Sequence, residues 1–292
     1  MNNKKVLITG SGGFVGKNLY KEIKQEFDIL GVGKTESEFV DEVVDLSDEK
    51  SVLKILNSFN PDIIVHLAAL SNVEKCELDN NLADKNNVYP IKNIVQWVES
   101  NNKRLVYMSS DYVFAGTKGG YSEKDLENPV QYYGKTKLVG EKIVSSLKNF
   151  IILRPTVIYG WDPDGMNFFM QLYRNQKNGK VMNVPTDQFS NPVSVVDLCL
   201  LIKKILNSDA GILGKFMATG NETFSRYEFA LNICDYMGWD SALINPVTTD
   251  FLKQVAKRPL NNSTMNNLVQ EKFDFHFNNL KENIKIINNQ IK

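Results

Sequence analysis

Residues 5–16 read K-V-L-I-T-G-S-G-G-F-V-G, and the fold follows from how that stretch is parsed. Lys5 to Thr9 is a short apolar, β-rich run, as expected for a central parallel strand buried on both faces. Glycine then recurs as G-x-x-G-x-x-G at Gly10, Gly13 and Gly16, and Val15, Leu19 and Ile23 follow at helical spacing. Strand, glycine turn and amphipathic helix, in that order, make the setting in which a glycine motif binds a dinucleotide. The first glycine permits the tight turn, the second lets backbone approach a pyrophosphate, and the third lets the helix pack close on the strand. Unpaired N–H groups at the helix N-terminus, which begins at Phe14 and Val15, present partial positive charge to the phosphates.

Outward from this stretch the pattern repeats. It predicts strands over 27–32, 62–67, 105–108 and 150–153, and helices over 48–59, 80–100 and 129–147. Strands alternating with helices through short links predict an α/β fold, a Rossmann-type doubly wound parallel sheet. After Arg154-Pro155 the pattern loosens: 161–165 is a turn-rich break, 166–176 and 225–237 read as helices, 193–206 as an apolar helix and 215–219 as a strand. The tail from Asn261, rich in Asn and Lys, is expected at the surface. The predicted division is a dinucleotide-binding domain of 1–157 plus 190–220, and a smaller C-terminal substrate-binding lobe of 158–189 plus 221–292.

With 292 residues, 42% of them hydrophobic, the chain can bury a sizeable core. Its 34 Lys+Arg balance 34 Asp+Glu, which argues against bulk attraction to nucleic acid or an anionic membrane. Cys76, Cys199 and Cys234 are widely spaced with no C-x-x-C, and read as small apolar residues of a reducing compartment. Two histidines, His66 and His276, are too few for a histidine-based metal site, and no metal is expected. No apolar run approaches the ~18 residues of a membrane span, so a cytoplasmic location is expected.

The chemistry is sought between Arg104 and Lys137. Tyr133 and Lys137 stand four apart, so on a helix they share a face. A phenol titrates near pH ~10, and a cation within ~4–6 Å lowers that value and readies it for acid/base work. Ser109 and Ser110, at the end of an apolar run, can hold a carbonyl oxygen beside the phenol. The second strand ends Gly31-Val32-Gly33-Lys34 with no carboxylate before Glu36, so Lys34 is expected to meet a 2′-phosphate. That favours NADP(H), with NAD(H) as the alternative. Asp45 and Leu46 either bracket the adenine or cap a turn, and Leu67, Ala68 and Ala69 leave room for a ribose. Spacing alone makes Asn87, Asn167 and Arg154 caps or surface residues.

Eight segments together carry a resemblance: I-T-G-S-G-G-F-V-G at 8–16, P-D-I-I-V-H-L-A-A at 61–69, S-S-D-Y-V-F-A-G-T at 109–117, Y-S-E at 121–123, Y-G-K-T-K-L-V-G-E at 133–141, I-L-R-P-T-V-I-Y-G at 152–160, D-Q-F-S-N-P at 187–192 and K-R-P-L-N-N-S at 257–263. The chain resembles the extended short-chain dehydrogenase/reductases, and among them the dTDP-4-dehydrorhamnose reductase group of nucleotide-sugar reductases. The resemblance implies reduction of the C4 keto group of a nucleotide-linked 4-keto-6-deoxyhexose, in deoxysugar and surface-polysaccharide biosynthesis. Tyr133 would protonate the carbonyl oxygen, Lys137 would lower its pKa and hold the nicotinamide ribose, and Ser110 would hydrogen-bond the same oxygen. Asn87 and the 154–156 segment, Arg154 included, would line the nicotinamide end, with Asp111, Tyr112, Asn167, Gln188 and Arg258 near the sugar nucleotide. A homodimer is the expected assembly.

Three departures stand out: G-F-V-G in the glycine loop, Arg226 where the group often has an aromatic, and Val193 in place of a threonine. The alternatives are an NAD-dependent 4-epimerase on the same fold and, without catalysis, a regulatory subunit of methionine adenosyltransferase. A dehydratase is disfavoured, because Asp111 is followed by Tyr112 and the usual acidic pair is missing.

Overall fold

A computed structural model describes residues 3–209 and 211–291. Six strands, β1 (Lys5–Thr9), β2 (Asp28–Gly33), β3 (Glu42–Val43), β4 (Ile63–His66), β5 (Arg104–Met108) and β6 (Phe150–Arg154), form the central parallel sheet with Gly214–Met217. The order is 214–217, β6, β5, β4, β1, β2, β3. Both β2 and β4 pair with β1, Val6 standing beside Ile29 on one side and Ile63 on the other. The winding therefore reverses at β1, which opens a crevice beyond the carboxyl ends of β1 and β4. This is the doubly wound sheet that the alternating pattern predicts.

Side chains alternate across the sheet. Val6, Ile8, Val65, Val106 and Leu153 face the helices Phe14–Ile23 and Val195–Asn207. Leu7, Ile64, Leu105, Tyr107 and Ile152 face the helices Glu49–Phe59 and Tyr89–Ser100. Burial on both faces is why these strands read as unbroken apolar runs.

Several element boundaries differ from the sequence pattern, for local reasons. The predicted 80–100 helix is two helices, Asn80–Asn87 and Tyr89–Ser100, and a further short helix, Val73–Leu78, precedes them. Asp79 ends the short helix and caps Asn80–Asn87, and Pro90 sits in the first turn of Tyr89–Ser100, where its missing N–H costs nothing. In the predicted 193–206 helix, Val193–Ser194 is instead a strand beside Ile158–Tyr159, and Ser194 caps the helix Val195–Asn207. Ser225 and Glu228 close a capping box on Arg226–Met237.

A second core gathers Tyr159, Phe169, Leu172, Val184, Phe229, Ile233 and Ile284. The tail is not the surface segment its composition suggests. Val269, Phe273 and Phe277 enter the core of the main sheet, so part of 221–292 packs there, while Leu280, Ile284 and Ile287 enter the second core. Its asparagines are interior hydrogen-bonders. Asn266 donates to the Thr219 carbonyl at 2.7 Å, and Asn278 and Asn283 donate through their amides to buried Asp197 at 2.7 and 2.8 Å. Among the described residues no helix is long and apolar enough to cross a membrane, and no His/Cys/Asp/Glu group is arranged to hold a metal.

Candidate active site

A cleft of about 430 Å³ opens at the reversal point. Its floor is the glycine turn. Gly10 has φ +68, and a Cβ there would stand 2.8 Å from the Ala68 nitrogen, so the turn tolerates only glycine at that step. Gly13 differs: a Cβ there would meet only the Gly10 carbonyl oxygen, at 3.1 Å, which leaves one side of its backbone open to a ligand. Phe14, Val15, Gly16, Leu67 and Ala69 continue this wall.

The opposite wall comes from β5 and the helix Tyr132–Val144. Gln131 caps that helix through Gly134 N, and its amide nitrogen donates to the Tyr112 carbonyl. Gly134 lets the helix seat against that same carbonyl, since a Cβ there would lie 2.1 Å from the Tyr112 oxygen. This seating brings Tyr133 and Lys137 into the cleft beside Ser110, Asp111 and Tyr112. The Tyr133 and Tyr112 rings meet edge to face, with centroids 6.2 Å apart. Ser110 Oγ donates to Asp111 Oδ1 at 3.0 Å and accepts from Tyr112 N at 3.2 Å. The Asn262 amide donates to the other carboxylate oxygen, Oδ2, at 3.1 Å.

Burial dominates the electrostatics. It pushes the Asp111 carboxyl up to about 6, against the pull of its bonds to Asn262, Thr156 and Ser110. It pulls Lys137 down to about 7, with the charges of Glu141 and Cys76 acting the other way. Lys137 Nζ lies 4.6 Å above the Tyr107 ring. The Tyr133 phenol is held above its ordinary value, first by burial and then by the charges of Asp111 and Cys76, while its interaction with Ser110 acts the other way. The expected lowering by Lys137 does not appear, because burial of the phenol itself outweighs it. Tyr133 is a neutral phenol here, a proton donor in waiting.

Under the glycine turn lies a second cavity of about 240 Å³, which shares Gly10, Gly13, Leu67 and Ala69 with the first. Lys34, Asp45, Leu46 and Ala68 line it, together with Ser47 and Lys85. Lys34 and Lys85 both help to lower the Asp45 carboxyl, after its hydrogen bonds to Ser47. Open backbone at Gly13, two joined cavities and a pair of ammonium groups at the far end fit an extended, phosphorylated dinucleotide. The chain matches the family model of the RmlD substrate binding domain over residues 4–292.

It belongs to the RmlD substrate-binding domain family.

Relatives of this RmlD-family chain bear out the resemblance read from its motifs. It is 30% identical to dTDP-4-dehydrorhamnose reductase of Aggregatibacter actinomycetemcomitans, over 92% of this chain and 93% of the relative. It is 33% identical to methionine adenosyltransferase 2 subunit beta of Bos taurus, over 89% of this chain and 79% of the relative. Among solved structures it is similar to dTDP-4-dehydrorhamnose reductase from Bacillus anthracis in complex with NADP, with TM-score 0.90, 28% identity and 99% of each chain covered.

Five of the residues expected at the RmlD-family site are not in the lining of either cavity, and each has partners of its own. Arg154 is fully buried, donating to Glu141 from Nε at 2.8 Å and from Nη2 at 2.6 Å and pairing with Glu127. Strand alternation turns it toward Glu141 on the helix that carries Tyr133, and it does not line the cleft. Asn87 braces the loop after β4, accepting from Leu70 N at 2.7 Å and donating to Thr136 Oγ1 at 3.0 Å. Asn167 caps the helix Phe168–Lys177 and donates to the Gly160 carbonyl at 3.1 Å. Gln188 donates to Thr249 Oγ1 at 3.1 Å, and Arg258 pairs with Glu74 at 2.8 Å outside the cleft lining. Conversely, Ser71, Val73, Val157 and Arg226 line the cleft and Lys85 the second cavity, none of them predicted. Val157 does so with φ +36, an unusual backbone for a β-branched residue.

Proposed function

We propose that this chain is an NADPH-dependent reductase of the C4 keto group of a nucleotide-linked 4-keto-6-deoxyhexose. The observation that carries this reading is the meeting of Ser110, Tyr133 and Lys137 in one cleft, continuous with the glycine-turn cavity. When bound, the dinucleotide supplies a hydride. The chain supplies position, a proton and exclusion of water. Gly10, Gly13 and the start of the first helix hold the diphosphate. Lys34 and Lys85 face the adenosine end, and Lys137 orients the nicotinamide ribose.

Tyr133 is the general acid. Its neutral phenol delivers the proton to the carbonyl oxygen as negative charge builds there, and Ser110 donates a hydrogen bond to the same oxygen. Residues 158–189 with 221–266 and 278–291 form the substrate-side wall. The substrate partner is a nucleotide sugar rather than nucleic acid or membrane, and the zero net charge supports that choice. A homodimer in the cytoplasm completes the reading.

The test follows NADPH absorbance on a dTDP-linked 4-keto-6-deoxyhexose. Wild type turns over, and Tyr133→Phe binds NADP⁺ as before but loses about 10²–10⁴-fold in kcat. A folded, NADPH-binding wild type that reduces no nucleotide-linked keto sugar would overturn the proposal. The 33% identity to a methionine adenosyltransferase subunit supports a second reading, a regulatory subunit. Formation of a stable complex with a methionine adenosyltransferase catalytic chain, without reductase turnover, is the outcome that reading requires.

A further inference from the structure

We propose that Arg226 is the anion-recognising residue on the substrate side of the cleft, selecting substrates that bring anionic oxygens close to Ser110 and Tyr133. This rests on the reductase reading and deepens it. Arg226 lines the same cleft as Ser110, Asp111, Tyr112 and Tyr133. It is the first residue of the helix Arg226–Met237, where a cation opposes the helix dipole. Among the described residues its backbone N–H donates to the Gln188 carbonyl at 2.8 Å, yet its guanidinium makes no hydrogen bond and no ion pair. What holds the guanidinium is the Phe168 ring, 4.9 Å beneath it, a packing that orients the group and leaves its five donors unused.

Nearby groups do not satisfy those donors. The carboxylate of Asp111 acts on Arg226 through space, but its two oxygens already accept from Ser110 and Asn262. Tyr112 offers a neutral phenol. A second guanidinium, Arg258, is close enough to be felt, and its buried Nη1 also lacks a partner while Nη2 is engaged by Glu74. The charges of these two guanidiniums, one stacked on Phe168 and one engaged by Glu74, act against each other unless negative charge comes near them. Delocalised, forked donors of this kind match the paired oxygens of a diphosphate or a carboxylate. The shared chemistry is therefore an anionic, multi-oxygen group, either the diphosphate bridge of the nucleotide sugar or an acid substituent on the sugar.

Calorimetric titration of the NADP⁺-loaded full chain with dTDP, dTDP-glucose and dTDP-glucuronate separates these sources. Arg226→Gln is expected to weaken binding about 10-fold or more, with Arg226→Lys in between and NADP⁺ affinity unchanged. An equal loss on all three ligands assigns the diphosphate. A loss confined to dTDP-glucuronate assigns a sugar carboxylate. If Arg226→Gln binds all three ligands within about twofold of wild type, or if wild type binds none of them, the proposal is overturned. Wild-type turnover of the keto sugar is scored separately, so failure of the reductase reading is told apart from failure of this one.

Discussion

The Ser110 hydroxyl donates to the carboxylate of its own neighbour, Asp111, at 3.0 Å. A serine has one proton to give, so Asp111 competes with a substrate carbonyl for it. Burial lifts the Asp111 carboxyl to about 6. Above that pH the ionised carboxylate holds the serine proton and, through its charge, makes Tyr133 a weaker acid. Below it, both effects fade. Reductive kcat/KM is expected to rise as pH falls through about 6, and the inflection should vanish in Asp111→Asn. A profile of log(kcat/KM) that is flat across that range in wild type would remove the coupling.

Lys137 is only 3% exposed, and its value is pulled down to about 7 by burial. An unfolded lysine titrates near ~10.4, so between these two values the unfolded state binds more protons and stability rises with pH. The cost of the buried ammonium is thus largest at and below neutrality. Lys137→Met should raise Tm by roughly 2–4 °C at neutral pH, equivalent to about 1 kcal/mol, while abolishing turnover. Thermal melts from neutral to alkaline pH should show the advantage shrinking, and a variant less stable than wild type at neutral pH would contradict the account.

Lys34 and Lys85 stand at the second cavity, one at the end of β2 and one on the helix Asn80–Asn87. Lys34 donates only a long bond of 3.5 Å to Asn86, and under the proposed function the two ammonium groups meet a phosphate on the adenosine ribose. Replacing both with Ala should weaken NADPH about 10-fold or more and leave NADH within about twofold, with reduced salt dependence for NADPH. Fluorescence titration of the two cofactors decides it. Parallel losses for NADH and NADPH would mean that the lysines do not read the extra phosphate.

Gly134→Ala places a methyl 2.1 Å from the Tyr112 carbonyl oxygen, so the helix carrying Tyr133 must move off the sheet. Overpacking of this kind costs about 1–3 kcal/mol, and a ~1 Å displacement of a reacting group lowers the rate by about 10²-fold. The expected result is a lower Tm and a larger loss in kcat than in NADP⁺ affinity. Wild-type kcat in a folded Gly134→Ala would show that this seating is not what positions the phenol.

The central sheet was legible because burial on both faces leaves apolar runs such as 6–8 and 105–108, and because the glycine turn has strict steric demands. The two-residue strands Glu42–Val43, Ile158–Tyr159 and Val193–Ser194 are too short for any periodicity to register. Tyr133 and Lys137 were legible because their spacing is local to one helix. Arg154 was misplaced because its partners, Glu127 and Glu141, come from separate segments, and only strand parity hints at them. Arg226 reaches the cleft from a helix over a hundred residues downstream of Ser110, a proximity no local pattern records. The tail misled through composition: asparagine reads as solvated, yet here it satisfies buried backbone and carboxylate groups.

Asp197, about two thirds of the way along the chain, takes its hydrogen bonds from Asn278 and Asn283. During synthesis, that carboxylate is made some eighty residues before the amides that accompany it inside. The helix Val195–Asn207 can dock early through its leucines and isoleucines, but an acidic side chain without partners resists enclosure. Closure of the molecule around Asp197 is therefore expected to be a late step, completed only once the chain as far as residue 283 has been made.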